Sequence, residues 1–241
     1  MKILAFDTSG STLNVGVFDS TTGLFFVHNH DTDQARTHSM KILPAISELM
    51  KRAVWDYKDL NRIVVTAGPG SFTGLRIGAT VAKILASQLS CDLVAVSTLF
   101  AISNSIKLSD EQFKVPLINA RNHNVFASVY DQQGKVVISE KHWVFSKLLK
   151  QLPKNSCFIF EKDTADEFKN EIRDNDFNFI EQESNRLIDP EVLAKLSLRL
   201  PIVNPDHFVP NYLRKTAAEM NWEAKHPEAK DEEYTKYVSE V

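Results

Sequence analysis

Residues Thr66 to Leu89 read TAGPGSFTGLRIGATVAKILASQL, and this stretch decides the fold. A β-branched run, Ile63–Thr66, leads through a Gly-Pro-Gly-Ser turn into an apolar segment with helical spacing. Ser71 and Thr73 both suit the N-cap position of that helix, because their hydroxyls can accept a hydrogen bond from a free backbone N–H. We therefore expect a buried strand, a tight glycine turn and a long helix.

Small residues recur along one side of the predicted helix. Gly74, Gly78, Ala82 and Ala86 stand four residues apart, which places them on a single helix face. A face without large side chains lets another backbone approach closely. We expect it to pack within its own domain or against a partner chain, and the sequence leaves both open.

The glycine turn could instead bind phosphate, since a strand, a glycine turn and a helix N-terminus form an anion site in many proteins. The spacing of Gly68, Gly70 and Gly74 does not fit G-x-G-x-x-G, because Thr73 stands where the third glycine is needed. No Gly-Lys-Ser/Thr follows, so the turn is not a P-loop. We favour a structural turn, with a phosphate cradle as the alternative.

Length and composition set the class of protein. The 241 residues carry a net charge of −3, and 43% of them are hydrophobic. This balance offers no basic field for direct binding to nucleic acid. No stretch approaches the roughly 20 apolar residues that span a bilayer, and the run before Asp7 is too short for a signal peptide. We expect a cytoplasmic protein with no membrane contact.

Candidates for metal or redox chemistry are few. Cys91 and Cys157 lie beside or within apolar runs, which favours buried, reduced thiols. No two of the seven histidines are spaced as a helical metal site requires. His28 and His30 would share a strand face without an acidic third ligand, and we interpret His38 as a solvated or capping residue at a helix start. No metal is expected.

The predicted elements form two copies of one order, βββαβαβα. In the first half they are Lys2–Asp7, Leu13–Asp19, Leu24–His30, helix Thr37–Val54, Arg62–Ala67, helix Phe72–Leu89, Asp92–Val96 and a helix from Thr98 to about Ile106. In the second half they are Val115–Ala120, Val125–Asp131, Val136–Val144, helix Phe145–Leu152, Cys157–Glu161, helix Ala165–Arg173, Phe177–Glu181 and a helix from Pro190 to about Leu200. We predict domains at 1–106 and 107–218, with a charged tail at 219–241.

This duplicated α/β order resembles the ribonuclease-H-like fold of the actin, hexokinase and Hsp70 superfamily. In its ATP-using members, the resemblance implies, the first hairpin of each half grips phosphate. The stretch Asp7–Thr12 keeps an acid and small hydroxyl residues, whereas the matching turn Asn119–Asn124 has neither glycine nor acid.

The distribution of glycine points the same way, because seven of the eight glycines precede residue 80. A loop that brings backbone N–H groups against phosphate normally needs glycine. We infer that complete nucleotide binding has been lost and expect no cofactor. Asp7, Ser9, Gly68 and Gly70 remain as vestigial candidates for nucleotide contact.

The eleven residues Gly68–Gly78, GPGSFTGLRIG, resemble the signature of the TsaB family. Two departures lie in the second half: Asn119-Ala120-Arg121 replaces the usual Asp-Ala-Arg, and Glu161–Thr164 lacks a glycine. Further matches run along the chain at Ile3–Ser9, Thr37–Ser39, Leu43-Pro44, Val96–Leu99 and Pro210–Arg214.

The resemblance implies a part in placing threonylcarbamoyl on the adenosine next to the tRNA anticodon. In such systems a TsaD-type paralogue with a His-x-x-x-His motif is the transferase, and a TsaE-type protein is an ATPase. The TsaB-type chain is implied to be a non-catalytic partner that forms a heterodimer with TsaD, or a homodimer alone. Contact with tRNA would be indirect. This chain has no His-x-x-x-His, which agrees with the partner role.

Family members are implied to associate through helices of the first domain, and both long helices offer apolar residues. The alternative is that these residues face the sheet. The candidates are Leu43, Ile46, Leu49, Met50 and Ala53 in the first helix, and Gly74, Gly78, Ala82 and Ile84 in the second.

Two other functions compete with this interpretation. One is an ATP-dependent kinase or acyltransferase that uses Asp7, Ser9 and the glycine turn. The other is a metallopeptidase, which the histidine spacing opposes. Ser71 does not stand in a nucleophile elbow, because Thr73 replaces the required second glycine. No complete set of catalytic residues is recognisable.

Overall fold

The computed structural model describes residues 1–31, 37–109, 112–162 and 164–213. The first half forms a five-stranded sheet in the order β3-β2-β1-β4-β5. In this sheet β1 is antiparallel to β2 and parallel to β4, and β4 is parallel to β5. The strands are β1 (Lys2–Asp7), β2 (Thr12–Asp19), β3 (Phe25–Asp31), β4 (Arg62–Gly68) and β5 (Asp92–Ser97).

Two long helices cover one face of this sheet. Helix α1 (His38–Ala53) packs mainly on β2 and β3, and helix α2 (Phe72–Leu89) on β4 and β5. Pro44 lies within α1, and the helix continues through it. A short 3₁₀ turn at Tyr57–Asp59 follows α1. The opposite face carries α3 (Thr98–Ser105), whose N-cap Ser97 accepts a hydrogen bond from the backbone of Phe100 at 3.3 Å.

The second half forms another five-stranded sheet, in the order β10-β9-β6-β7-β8, with the same pattern of directions. Its strands are β6 (Phe113–Asn119), β7 (Asn124–Tyr130), β8 (Val136–Val144), β9 (Ser156–Glu161) and β10 (Asn178–Gln182). Its helices are α4 (Phe145–Leu149), α5 (Lys169–Asp174), α6 (Ser184–Leu187) and α7 (Pro190–Ser197).

The duplicated order and the superfold predicted from sequence are confirmed. Two details differ. The helix predicted at Ala165–Arg173 is a 3₁₀ turn, Asp166–Phe168, followed by α5. Helix α6 was not predicted, because four residues make one turn and show no periodicity that a sequence pattern could detect.

The two halves interlock through two helices. Helix α7 follows the second sheet in the chain but packs on the first, where Leu193 and Ala194 meet Ile3 and Ala5. Helix α3 follows the first sheet and contacts β6 of the second. Each sheet therefore comes from its own stretch of chain, while the helices cross between them. The division at residue 106 stays a prediction.

The segment after α7 returns to the first domain. Val203 pairs with Leu93 at the edge of the sheet, and Phe208 is buried in the core beneath α2. Lys83 donates hydrogen bonds to the carbonyls of Asp206 and Phe208, each at 3.2 Å. This segment anchors the stretch from Pro210 onward. Arg214 and the predicted tail 219–241 lie outside the described residues.

Within the described ranges, none of the helices is both long and apolar enough to cross a membrane.

Candidate functional site

The glycine turn is occupied by other parts of the same chain. Gly68 has φ +107°, a backbone conformation that favours glycine, and the backbone carbonyl of Asn211 lies where a side chain would start. The N–H of Asn211 donates to the carbonyl of Ala67 at 2.6 Å. The returning C-terminal segment therefore fills the space beside the turn, and Gly68 is required for that close approach.

Three backbone N–H groups after the turn are bonded within the chain. The N–H of Ser71 donates to the Ser9 carbonyl at 2.8 Å, and that of Leu75 to the Ser71 carbonyl at 2.8 Å. Ser71, one of the two predicted candidates, is the N-cap: its Oγ accepts the N–H of Gly74 at 3.2 Å. A phosphate cradle would need such donors free to face a ligand. The Ser71–Ser9 bond and the Asn211 backbone beside Gly68 favour the structural turn.

The small-residue face of α2 packs inside its own domain. A Cβ on Gly74 would overlap the backbone carbonyl oxygen of Thr8, and one on Gly78 would overlap the Thr8 hydroxyl. That hydroxyl donates to the carbonyl of Gly74 at 2.7 Å. Ala82 is also buried. Gly74, Gly78 and Ala82, named above as partner contacts, thus bring α2 against the end of β1, because only a face without side chains admits that backbone.

Most of the α1 candidates are likewise committed to the core. Ile46, Leu49 and Met50 are fully buried, and Ala53 is half-buried against the same cluster. Their spacing of three and four residues forms the stripe that faces the sheet, which was the alternative left open by the sequence. Leu43 lies on the other side of the helix, 54% exposed.

An apolar surface remains on the outer side of the two helices. We call it the α1–α2 face and define it by Met40, Leu43 and Ile84, which are 68%, 54% and 56% exposed. Helices α1 and α2 contact each other on the same face of the sheet. Where such side chains form one contiguous patch, the surface is typical of one that meets another protein.

Asp7 stands at the end of β1 and is 2% exposed. One carboxylate oxygen, Oδ1, accepts three hydrogen bonds: from the Ser9 N–H at 2.9 Å, the Ser9 hydroxyl at 2.6 Å and the Thr66 hydroxyl at 2.6 Å. This oxygen already shapes the turn after β1. Asp7 and Ser9 therefore hold each other within the hairpin.

His38 differs from its predicted solvated position. The side chain is fully buried at the start of α1, close to Asp7. Burial lowers the pKa of His38, and this effect is partly opposed by the Asp7 carboxylate and by a hydrogen bond with the Ser11 backbone. At the first residue of a helix, the spacing of apolar residues does not show whether a side chain points into the core or toward solvent.

A cleft separates the two halves where the hairpins of both sheets meet. Its volume is ≈ 180 Å³, below the roughly 300–1,000 Å³ of drug-sized ligand sites. Glu161, from the end of β9, accepts hydrogen bonds from the hydroxyls of Ser11 and Ser184 at its rim. Among the described residues that line the cleft, Asp7 and Glu161 are acidic, and none is Lys, Arg or His.

The second-half turn has a strongly bent backbone without glycine. Arg121, Asn122 and His123 have φ of 66°, 52° and 59°, all in the left-handed region. The Asn119 side chain accepts the N–H of Arg121 at 2.8 Å and donates to Glu167 at 2.8 Å. Its polar atoms thus stabilise the turn itself.

The remaining titratable candidates do not form a reactive centre. Burial raises the pKa of the Cys157 thiol to about 11 and also raises that of Cys91. Cys157 is buried, as predicted, whereas Cys91 is only partly buried. His28 lies 3.3 Å from the Glu48 carboxylate, and the side chain of His30 lies outside the described part. The described ranges contain no group of three potential metal ligands.

Comparison with known proteins gives the family. The family model for TsaD, the tRNA N6-adenosine threonylcarbamoyltransferase, matches residues 29–188. The Bacillus subtilis tRNA threonylcarbamoyladenosine biosynthesis protein TsaB is 30% identical over 228 residues, covering 92% of this chain and 98% of that protein. The chain belongs to the TsaB family. The TsaD match places this TsaB-family chain within a wider group that includes the transferase.

Solved structures agree on the fold. A Pseudomonas aeruginosa protein described as similar to the peptidase YeaZ superposes with a TM-score of 0.70 at 23% identity, covering 88% of this chain and 99% of that one. The activator of 2-hydroxyisocaproyl-CoA dehydratase from Clostridium difficile, solved with ADPNP, gives a TM-score of 0.50 at 9% identity, covering 80% of this chain and 93% of that one. At these identities the likeness concerns the fold alone.

Proposed function

We propose that this TsaB-family chain is a non-catalytic subunit that supports a TsaD-type transferase in forming threonylcarbamoyladenosine in tRNA. The observation that carries the proposal is that the first hairpin and the glycine turn, the two candidate places for nucleotide contact, are both bonded to other parts of this chain. There the hairpin carboxylate of Asp7 holds its own turn, and the C-terminal segment packs on the glycine turn. Family membership supports the pathway, and this geometry supports the non-catalytic role.

Electrostatics supports the same conclusion. A nucleotide carries several negative charges, and proteins bind its phosphates with Lys, Arg, a metal or free N–H groups. The described lining of the cleft supplies two carboxylates and no basic side chain. Without a bound metal, phosphate would meet repulsion there, which weighs against the rival hypothesis of an ATP-dependent kinase or acyltransferase.

The α1–α2 face is the surface that we assign to the partner. Met40, Leu43 and Ile84 lie exposed on two adjacent helices that the sheet holds rigidly from below. Preformed helices lose little entropy on docking, which favours a helix-to-helix interface. The same face would pair two copies of this chain when the transferase is absent. A TsaE-type ATPase would join the larger complex, and tRNA would be held mainly by the other subunits, in the cytoplasm.

The interface can be tested with a matched pair of variants. Leu43→Glu places a charge on the α1–α2 face, whereas Glu48→Gln changes an exposed residue on the same helix. Because burying an unpaired charge is unfavourable, we expect Leu43→Glu to weaken association with the transferase about tenfold or more. Light scattering and titration with the purified TsaD-type paralogue give the masses and affinities. Unchanged affinity for Leu43→Glu would place the interface elsewhere.

The loss of nucleotide binding has its own experiment. Calorimetric titration of the isolated chain with Mg-ATP should give no heat of binding in the micromolar range. Micromolar affinity that Asp7→Asn or Ser9→Ala abolishes would favour the kinase or acyltransferase instead.

A further inference from the structure

Lysines are concentrated in one stretch of the second half. Residues 135–154, which we call the basic segment, contain five lysines and one glutamate, a local net charge of +4 in a chain of net charge −3. The glutamate, Glu140, is turned toward the first half, where it accepts hydrogen bonds from the Ser97 hydroxyl and, at 2.9 Å, from the Asn211 side chain. The lysines are Lys135, Lys141, Lys147, Lys150 and Lys154.

The fold brings these lysines to one side of the second sheet. Strand β8 lies at the edge of that sheet; Lys135 precedes it and Lys141 lies within it. Helix α4 follows β8 directly and buries its apolar side chains in the core, which leaves Lys147 and Lys150 exposed. The chain then returns to the end of the sheet at which β8 began, so Lys154 lies at the same end as Lys135.

The positive charges of the basic segment are not neutralised by the rest of the described chain. All five lysines are exposed, and within the described ranges none of them forms an ion pair. Exposed lysines elsewhere differ: Lys162 and Lys195 lie 3.0 and 2.6 Å from a glutamate oxygen. The basic segment therefore presents free ammonium groups to an anionic partner.

The choice of lysine indicates which kind of anion is bound. Lysine is depleted from protein–protein interfaces, whereas lysines clustered along one face are the electrostatic footprint of a surface that contacts nucleic acid. The ammonium group is a flexible point charge that suits a phosphate and reads no base. The basic segment contains no arginine, which is the residue that most often reads a base edge.

The acidic balance of the whole chain does not oppose such a contact. Salt screens charges that lie more than about 8 Å apart at physiological ionic strength, so the local charge decides the attraction. A net charge summed over the sequence misses a surface on which the lysines are unpaired.

We propose that the basic segment contacts the phosphate backbone of tRNA. The inference rests on the proposed function, which brings tRNA to the complex. The other subunits still hold most of the tRNA, and this surface adds a direct contact that does not depend on sequence.

Binding of unmodified tRNA to the complex of this chain with the TsaD-type transferase tests the proposal. Fluorescence anisotropy is measured between about 50 and 200 mM salt. Each phosphate contact contributes about fourfold at physiological salt, so Lys147→Ala/Lys150→Ala should weaken binding about tenfold. The slope of log K against log salt should fall by about one to two. In the modification assay, KM for tRNA should rise and kcat should stay the same.

Lys107→Ala/Lys162→Ala is the matched control, because it removes the same charge from exposed positions outside the basic segment. It should leave tRNA affinity nearly unchanged. An equal loss for both double variants, or no loss for Lys147→Ala/Lys150→Ala, would overturn the proposal. So would a loss of affinity for the transferase in place of tRNA, or tighter binding to vesicles of anionic phospholipid than to tRNA.

The two proposals can fail separately. If the wild-type chain supports modification and the lysine variant is equally active and binds tRNA equally well, only the tRNA contact is refuted. If no complex forms with the transferase, the proposed function fails, and the isolated chain tests the tRNA contact at low salt. There the lysine variant should still bind tRNA more weakly than the control variant, and equal binding would overturn the contact as well.

Discussion

The packing of α2 on the end of β1 predicts an unusual response to Gly74→Ala. Alanine normally stabilises a helix interior by about 1 kcal/mol relative to glycine. Here its Cβ would overlap the Thr8 carbonyl, and the backbone shift needed to relieve that overlap costs about 1–3 kcal/mol. The same shift would weaken the 2.7 Å hydrogen bond from Thr8 to Gly74, which contributes about 1 kcal/mol.

The balance of these terms is a net destabilisation of about 2 kcal/mol, which lowers Tm by roughly 4–8 °C in a chain of this size. Chemical denaturation with a fixed m-value gives the free energy of unfolding directly. Thr80→Ala is the control, because Thr80 is exposed on the same helix and its replacement by alanine changes only the helix propensity. If Gly74→Ala melts at or above the wild-type Tm, the α2 glycines are not needed for close packing and the reasoning fails.

Three further predictions follow from burial. Ile46→Glu should unfold the chain at 25 °C, as circular dichroism would detect, because Ile46 lies in the core; a folded variant would contradict its assignment. Phe208→Ala should lower the free energy of unfolding by about 3 kcal/mol in a urea titration, since its ring is buried beneath α2; a loss under 1 kcal/mol would mean that the returning segment is not anchored. Iodoacetamide at pH 8 should spare Cys157 in the native chain, as peptide mass spectrometry would show. Because its folded pKa of about 11 exceeds the ordinary 9.0, the free energy of unfolding should fall between pH 9 and 11, and Cys157→Ala should reduce that fall.

Elements with strong local signals could be read from the sequence. Helix α2 begins at Phe72 and ends at Leu89, as predicted, because a serine cap and a long apolar period define it without tertiary information. In α1, the spacing of apolar residues could not distinguish those that face the sheet from those exposed on the outer side of the helix. Ile46 and Leu43 are both apolar and lie three residues apart, and only the position of the sheet makes one buried and the other exposed.

The cleft could not be predicted, because its residues are brought together from distant parts of the chain. Ser11 and Glu161 are 150 residues apart in sequence and are hydrogen-bonded in space. Asn14 reads as an ordinary polar residue in a strand, and its unpaired oxygen becomes visible only when α3 and the second half close over it. One property of the second half could be predicted from the sequence. The turn at Asn119–Asn124 lacks both an acid and a glycine, and this indicated that nucleotide binding is lost.

We propose that this TsaB-family chain supports catalysis by another subunit and performs none itself. A reconstituted modification assay tests it most directly, with purified TsaD-type transferase, the other components and unmodified tRNA, with and without this chain. We predict that threonylcarbamoyladenosine forms only when both the transferase and this chain are present, and that Leu43→Glu reduces its formation while Asp7→Asn, if folded, retains it. Equal product without this chain, or product from this chain without the transferase, would contradict the account.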